Sequence, residues 1–327
     1  MAKAYASAII DAPVQAVWSV VRDFNGLPTW HPAIKDSMIE GGLDPDVVGC
    51  IRSFHLQDGT LVREKLLLLD DQNYTFAYDF QTPCFPVTNY VATVRLYPVT
   101  NGDKTFCEWE ATFDEAPGDK GKYVDIISNG VFAAGWTALA AYIKKNKVKA
   151  PEGRARWKAW SPNKVWTSAV IHGPVDKVWA RIRDFAGMGD WHPAITKMHM
   201  IGGVRSDKVS GTRDFMFGEG HLHEELIHLN DIERSFSYRI TKCDMPWLNY
   251  ISGPRLWPIT ATGETFAMWT GDWDASPHDD LNLMPTAENE VYQKAFATLN
   301  AKYFKPKAAK AAKASKDKKA GKASAKK

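Results

Sequence analysis

The chain has 327 residues, of which 45% are hydrophobic and 24% charged, with a formal net charge of +3. That length suits about two domains of roughly 100–200 residues, each large enough for its own core. The positive balance sits in residues 305–327, which hold ten lysines and one aspartate, a net +9; the remainder is therefore −6, and a basic nucleic-acid-binding body is excluded.

No apolar run approaches the ~18 residues of a membrane span, so no membrane partner is expected. The opening residues lack a charged segment followed by an apolar stretch and a cleavage site, and a cytoplasmic location is the expectation. Cys50, Cys84, Cys107 and Cys243 show no paired metal-ligand spacing and fit free, buried thiols.

In chain order, a strand over 4–11 leads into Pro13, which suits a first helical turn because no N–H is needed there; Val14, Val17, Trp18 and Val21 then follow at helical spacing. A Trp30-His31-Pro32 turn and the Gly41-Gly42 pair come next. Alternating segments over 49–57, 60–70, 74–80, 87–97 and 104–113, broken by Gly, Asp-Gly or Asn-Gly, predict antiparallel hairpins. Tyr123, Ile127, Val131, Trp136, Leu139 and Ile143 then give one apolar face to a long closing helix.

The same series then starts again. Trp-His-Pro-Ala-Ile occurs at 30–34 and 191–195, 161 positions apart, and Arg52, Glu64, Tyr78 and Trp109 return as Arg213, Glu224, Tyr238 and Trp269. A period this long is a duplicated domain, since solenoid units repeat every 20–50 residues or so. The expected organisation is a first domain over 1–146, a linker over 147–163 laid on the surface through Trp157 and Trp160, a second domain over 164–304, and a disordered Lys/Ala tail over 305–327. Closely spaced lysines favour an extended tail, for which a role in solubility is the expectation and weak, salt-sensitive polyanion contact the alternative.

The element order, the Asp-Phe before Trp-His-Pro, the Gly-Gly after it, Gly49 and Arg52, Arg63-Glu64-Lys65-Leu66, Asn89-Tyr90 and Trp109 together resemble the polyketide cyclase/dehydratase-like branch of the START/SRPBCC superfamily. The resemblance implies an α+β architecture: two helix-grip domains, each a curved antiparallel sheet around a long C-terminal helix enclosing an apolar cavity. It leaves activity open, because such folds host binders, carriers, cyclases, dehydratases and lyases.

Period-2 alternation points Glu64 inward with Val62, Leu66 and Leu68, and Glu224 inward with Leu222, Leu226 and His228. Arg52 shares an inward face with Phe54, and Arg213 with Phe215. An inward Arg beside an inward Glu is either a self-neutralised buried pair or a carboxylate poised for proton transfer beside an anion-binding guanidinium. Tyr78 and Tyr238, with Phe76, Phe236, Trp109 and Trp269, predict an aromatic lining that suits a planar or phenolic ligand or simply forms core. His31 and His192, in a turn, are expected near the cavity mouth as bases or as loop anchors.

His221, His223 and Glu225 share one strand face with zinc-competent spacing, but that face is the expected solvent side, and no metal is expected. No phosphate loop opens a helix and no nucleophile elbow is present, so no cofactor is expected. The functional expectation is an enzyme working by general acid–base chemistry on a hydrophobic aromatic or phenolic molecule: cyclisation, dehydration or carbon–carbon cleavage such as retro-aldol loss of a small aldehyde. The alternative is a carrier without turnover. Glu224, Glu64, His228, His192, His31, Tyr238 and Tyr78 are the catalytic candidates; Arg52, Arg213, Trp109, Trp269, Phe76 and Phe236 are the substrate-binding ones. Repeat two, with the extra His228 and wall aromatics Trp257 and Trp273, is the expected working copy.

Overall fold

A computed structural model describes residues 1–151 and 163–306; the expected surface contact of Trp157 and Trp160 and nearly all of the lysine tail lie outside the described residues. In the first repeat the strands are β1 (Ala2–Ile10), β2 (Ile34–Ile39), β3 (Ile51–Leu56), β4 (Leu61–Asp70), β5 (Thr75–Thr82), β6 (Val87–Val99) and β7 (Lys104–Glu115). The second repeat supplies β8 (Val165–Ile171), β9 (Ile195–Met200), β10 (Thr212–Phe217), β11 (Gly220–Asn230), β12 (Ser235–Cys243), β13 (Leu248–Ile259) and β14 (Glu264–Asp274). They form two antiparallel sheets of one topology, β1-β7-β6-β5-β4-β3-β2 and β8-β14-β13-β12-β11-β10-β9. The α+β helix-grip architecture is therefore present twice.

Each sheet begins at one edge, crosses to the other and meanders back. The crossing is made by α1 (Val14–Val21) and a short helical turn, Leu27–Trp30, in the first copy. Gly59 and Gly102 take φ of +86° and +103° at the hairpin turns, a region that only glycine enters at little steric cost. The edge strands β2 and β9 were not expected from the pattern, because only Ile34 and Ile195 in them are fully buried.

A long helix, α2 (Lys122–Asn146), lies across the first sheet, and its second-repeat counterpart, α3, spans 277–302. Both contain a wider π-helical stretch, Ile126–Ala133 and Thr286–Gln293. Against the expectation of no membrane-length apolar segment, α2 is by length and composition alone long and apolar enough to cross a bilayer. Its Tyr123, Ile127, Phe132, Trp136, Leu139 and Ile143 are nevertheless buried in the first core.

The two sheets meet through the outer faces of β1, β6 and β7 and of β8, β13 and β14. Phe106 stacks on Phe266 at 4.4 Å, flanked by Tyr97 and Trp257. Trp257, expected in the wall of the second cavity, thus faces the first repeat. Hydrogen bonds around this cluster come in matched pairs: Ser7 Oγ donates to the Pro258 carbonyl at 2.6 Å and Ser168 Oγ to that of Pro98 at 2.7 Å. The Ser7 amide donates to Thr260 and the Ser168 amide to Thr100. Each copy presents the same patch to the other, as in a two-fold dimer.

Candidate functional site: two aromatic grips with buried ion pairs

The register that aligns β3 with β4 puts Arg52 directly opposite Glu64, and β10 with β11 puts Arg213 opposite Glu224. All four are buried. Arg52 Nε donates to Glu64 Oε2 at 2.7 Å and Nη2 approaches the same oxygen at 2.5 Å, while Nη1 donates to the Phe24 carbonyl. The second copy repeats the arrangement, with Arg213 Nε and Nη2 on Glu224 Oε2 and Nη1 on the Phe185 carbonyl. Each guanidinium lies 3.9 Å above the ring of Phe24 or Phe185. Burial raises the pKa of both carboxyls, and the adjacent guanidinium opposes the shift. The inward placement expected for these four residues holds, and the pair is self-satisfied: each Arg spends its fork on Glu and a carbonyl.

The predicted aromatic rows are also assembled. Tyr78 and Phe76 stack at 6.1 Å beside Phe24, and Tyr238 and Phe236 adjoin Phe185. Trp109 stacks on Phe132 of α2 at 4.6 Å, and Trp269 on Tyr292 of α3 at 5.2 Å. Here the copies part. In the first, Trp109 Nε1 donates to the Tyr78 hydroxyl at 3.1 Å. In the second, Trp269 Nε1 donates to Ser252 Oγ at 3.0 Å; that hydroxyl in turn meets Tyr292 Oη at 2.9 Å, and Tyr292 Oη meets Tyr250 Oη. Tyr238 lies beside Ser252 and Tyr250, so the second grip contains a cluster of three phenols and a serine.

The chain makes room for that cluster by a matched substitution. Ala92, Ala111 and Phe132 of the first repeat become Ser252, Gly271 and Tyr292. A Cβ at Gly271 would come within 2.2 Å of the Tyr292 hydroxyl, so the tyrosine requires the glycine. Sequence reasoning missed Tyr250, Ser252 and Tyr292; comparing the copies position by position carries a signal for Ser252 and Tyr292, which replace Ala92 and Phe132, but not for Tyr250, which Tyr90 matches.

His31 and His192 are buried rather than at an open mouth. The ring Nδ1 of each faces the amide two residues on, at 3.3 Å. His192 Nε2 meets the Val291 carbonyl in the π-helical stretch of α3 at 3.1 Å, and His31 turns toward the corresponding Val131 carbonyl without completing a hydrogen bond. Burial lowers the pKa of both rings, leaving them neutral near pH 7. His192 thus ties its Trp-His-Pro turn to the closing helix by a hydrogen bond, while His31 packs against Gly135 of α2.

His228 is not in the grip. A β-bulge between Leu226 and His228 adds one residue to the strand, inverts the alternation and leaves His228 exposed; Leu68, 44% exposed, is displaced by the same bulge in the first repeat. His221 and His223 lie on the outer face as expected, but Glu225 turns to Arg239 at 2.8 Å and leaves them to Asp214. The thiols are free, Cys50 and Cys107 buried and Cys84 and Cys243 half-buried.

A residual cavity remains in each grip, about 20 Å³ in the second and about 10 Å³ in the first, room for roughly one water molecule. The second is lined by Arg213, Glu224, Tyr238, Tyr250, Trp247 and Val291 among others. The first lies at a different place in its grip, against Val21, Trp30, Arg52, Phe76, Trp109 and Trp136, and is not the counterpart of the second. Trp247 carries a buried indole N–H with no hydrogen-bond partner among the described residues, an orphan donor on the wall of the second cavity. The carboxylate, phenols and orphan donor thus converge on one cavity.

A family described as polyketide cyclase/dehydrase and lipid transport matches residues 1–144 and again 162–303. The abscisic acid receptor PYL7 of Arabidopsis thaliana is 30% identical over 92 residues, 27% of this chain and 42% of that protein, so the match spans less than half of the receptor. Among solved structures, XoxI from Bacillus cereus shares 28% identity over 45% of this chain and 99% of its own, with a TM-score of 0.40. The di-domain ARO/CYC BexL of the BE-7585A biosynthetic pathway shares 12% identity over 92% of this chain and 94% of its own, with a TM-score of 0.36. With the family pattern matched over nearly the whole of both repeats, the chain belongs to the polyketide cyclase/dehydrase and lipid transport family, twice over.

Proposed function

We propose that the second grip takes up a hydrophobic aromatic or phenolic molecule and transforms it by general acid–base chemistry with its own side chains, as a cyclase, dehydratase or carbon–carbon lyase. The observation that carries this reading is the convergence of Glu224, Arg213, Tyr238, Tyr250 and the unpartnered Trp247 N–H on one aromatic-walled cavity. Both bonds from Arg213 end on Glu224 Oε2. The other carboxylate oxygen is the atom assigned to proton transfer. In a retro-aldol cleavage, Glu224 takes the proton of a side-chain hydroxyl and the adjacent C–C bond breaks as the aldehyde C=O forms. The electron pair left on the ring-bearing carbon then takes a proton back. Arg213 and the tyrosine hydroxyls stabilise the developing negative charge.

The cavity holds about one water as it stands, whereas small-molecule pockets measure about 300–1,000 Å³. Ligand uptake therefore includes an opening of the wall, to which Trp247, in the segment between β12 and β13, contributes. Self-satisfaction of the Arg213–Glu224 pair favours a second reading, a binder or carrier without turnover. Incubating the purified full chain with a library of aromatic compounds, followed by untargeted mass spectrometry and native mass spectrometry, separates them. New product masses support the enzyme, bound but unchanged ligand supports the carrier, and neither product nor complex overturns both.

A further inference from the structure

On the outer face of the second sheet, opposite the grip, three side chains from two strands meet. His221 Nε2 lies 2.9 Å from Asp214 Oδ1 and His223 Nε2 lies 3.0 Å from Asp214 Oδ2. The three ligand-type atoms all fall within 4.8 Å of one another, and each residue is half-buried. The register explains the meeting: Asp214 on β10 pairs directly with His223 on β11 and, on its other side, with His199 on β9. His221 is two residues from His223 on the same face, and its ring stands 86° to that of His223 with centroids 5.0 Å apart. In the first repeat the corresponding positions are Ser53, Leu61 and Arg63, and Arg63 forms a two-pronged ion pair with Glu40, whose counterpart is Ile201. Three ligand-type residues have replaced three that cannot form such a set, together and in one copy only.

We propose that Asp214, His221 and His223 bind one divalent transition-metal cation, with zinc the best fit to two imidazoles and a carboxylate. Metal–ligand bonds near 2.0–2.1 Å in a tetrahedron place neighbouring ligand atoms roughly 3.3 Å apart. The two imidazoles now contact different oxygens of Asp214, at 2.9 and 3.0 Å, so closing the set on one cation requires the carboxylate and the two rings to turn from distances of at most 4.8 Å toward that spacing. Three protein ligands leave a fourth position open, and His199 is the residue placed beside Asp214 to approach it. Because His223 and Glu224 point to opposite faces of β11, the cation cross-links β10 and β11 from outside and takes no part in the chemistry assigned to the grip. The two proposals stand or fall separately.

The test is isothermal titration of ZnCl₂ into the tag-free, chelator-stripped full chain, paired with the visible spectrum of the Co²⁺ form. One equivalent is expected to bind in the micromolar range or tighter, with a four-coordinate cobalt spectrum and a rise in melting temperature on zinc addition. Asp214→Asn, His221→Ala and His223→Arg should each weaken binding about tenfold or more, whereas His55→Ala on the first sheet should leave it unchanged. His223→Arg installs the residue that the first repeat carries there, so it is the variant chosen to retain the fold. Absence of a stoichiometric zinc site, or binding that survives Asp214→Asn and His223→Arg at wild-type strength, overturns the proposal.

Discussion

Glu224 and Arg213 are the pair whose removal separates architecture from chemistry. Glu224→Gln leaves a buried guanidinium without its counter-charge, and loss of one partner of such a pair costs about 3–5 kcal/mol. Glu64→Gln should destabilise its own repeat by a similar amount, because the two pairs are geometrically alike. Replacing Arg52 and Glu64 together by Met and Leu should cost far less than either single change, which chemical denaturation would show. At Gly271 the expectation is sharper. Gly271→Ala drives a methyl into the Tyr292 hydroxyl and should cost about 1–3 kcal/mol. Adding Tyr292→Phe restores the Ala111–Phe132 combination of the first repeat, so the double variant should be more stable than Gly271→Ala alone. A double variant that is less stable than Gly271→Ala would show that the clash is not what fixes the glycine. His228→Ala should leave both stability and ligand handling near wild type, since the bulge turns that ring to solvent.

At the scale of the element, the contact between the Trp-His-Pro turn and the closing helix makes stability depend on pH. The folded-state pKa of His31 and His192 lies below the ordinary 6.5, so the unfolded chain takes up protons first as pH falls. Their contribution is complete above about pH 6.5 and is lost as pH falls through the depressed values. The melting temperature should therefore drop from about pH 7.5 to about pH 5, and His31→Asn with His192→Asn should flatten that slope. An unchanged slope in the double variant would assign the acid sensitivity to other groups. Strands β3 to β7, the inward Arg and Glu, and the closing helices were legible in the sequence because alternation and helical spacing persist over many residues. Three features were not. Bulges cannot be seen in an alternation pattern, so Leu68 and His228 were assigned to the wrong face. The edge strands β2 and β9 bury one residue each. Asp214 approaches His221 and His223 only through strand pairing, which sequence spacing does not encode.

At the scale of the whole molecule, the inter-repeat contact has the form of a dimer joined into one chain. Phe106, Tyr97, Trp257 and Phe266 would be uncovered if the halves were parted, and the matched Ser7 and Ser168 bonds would be lost. Fragments ending near 151 and starting near 163 should therefore self-associate when expressed alone, or combine one to one when mixed, as sedimentation velocity would report. Two stable monomers that ignore each other would contradict that reading. The duplication also lets the copies diverge: the first grip keeps Ala92 and Phe132 where the second gains the hydroxyls of Ser252 and Tyr292.

The central claim is that this second cavity is the working site, and the most direct test compares matched conservative variants of the two grips in one ligand assay. Tyr238→Phe and Glu224→Gln, set against Tyr78→Phe and Glu64→Gln, would be assayed as full chains against the aromatic compounds that the wild type binds or converts, with folding checked by circular dichroism. Loss of binding or turnover by about tenfold or more in the second-repeat pair, with the first-repeat pair near wild type, is the predicted result. Loss confined to Tyr78→Phe and Glu64→Gln would contradict the account.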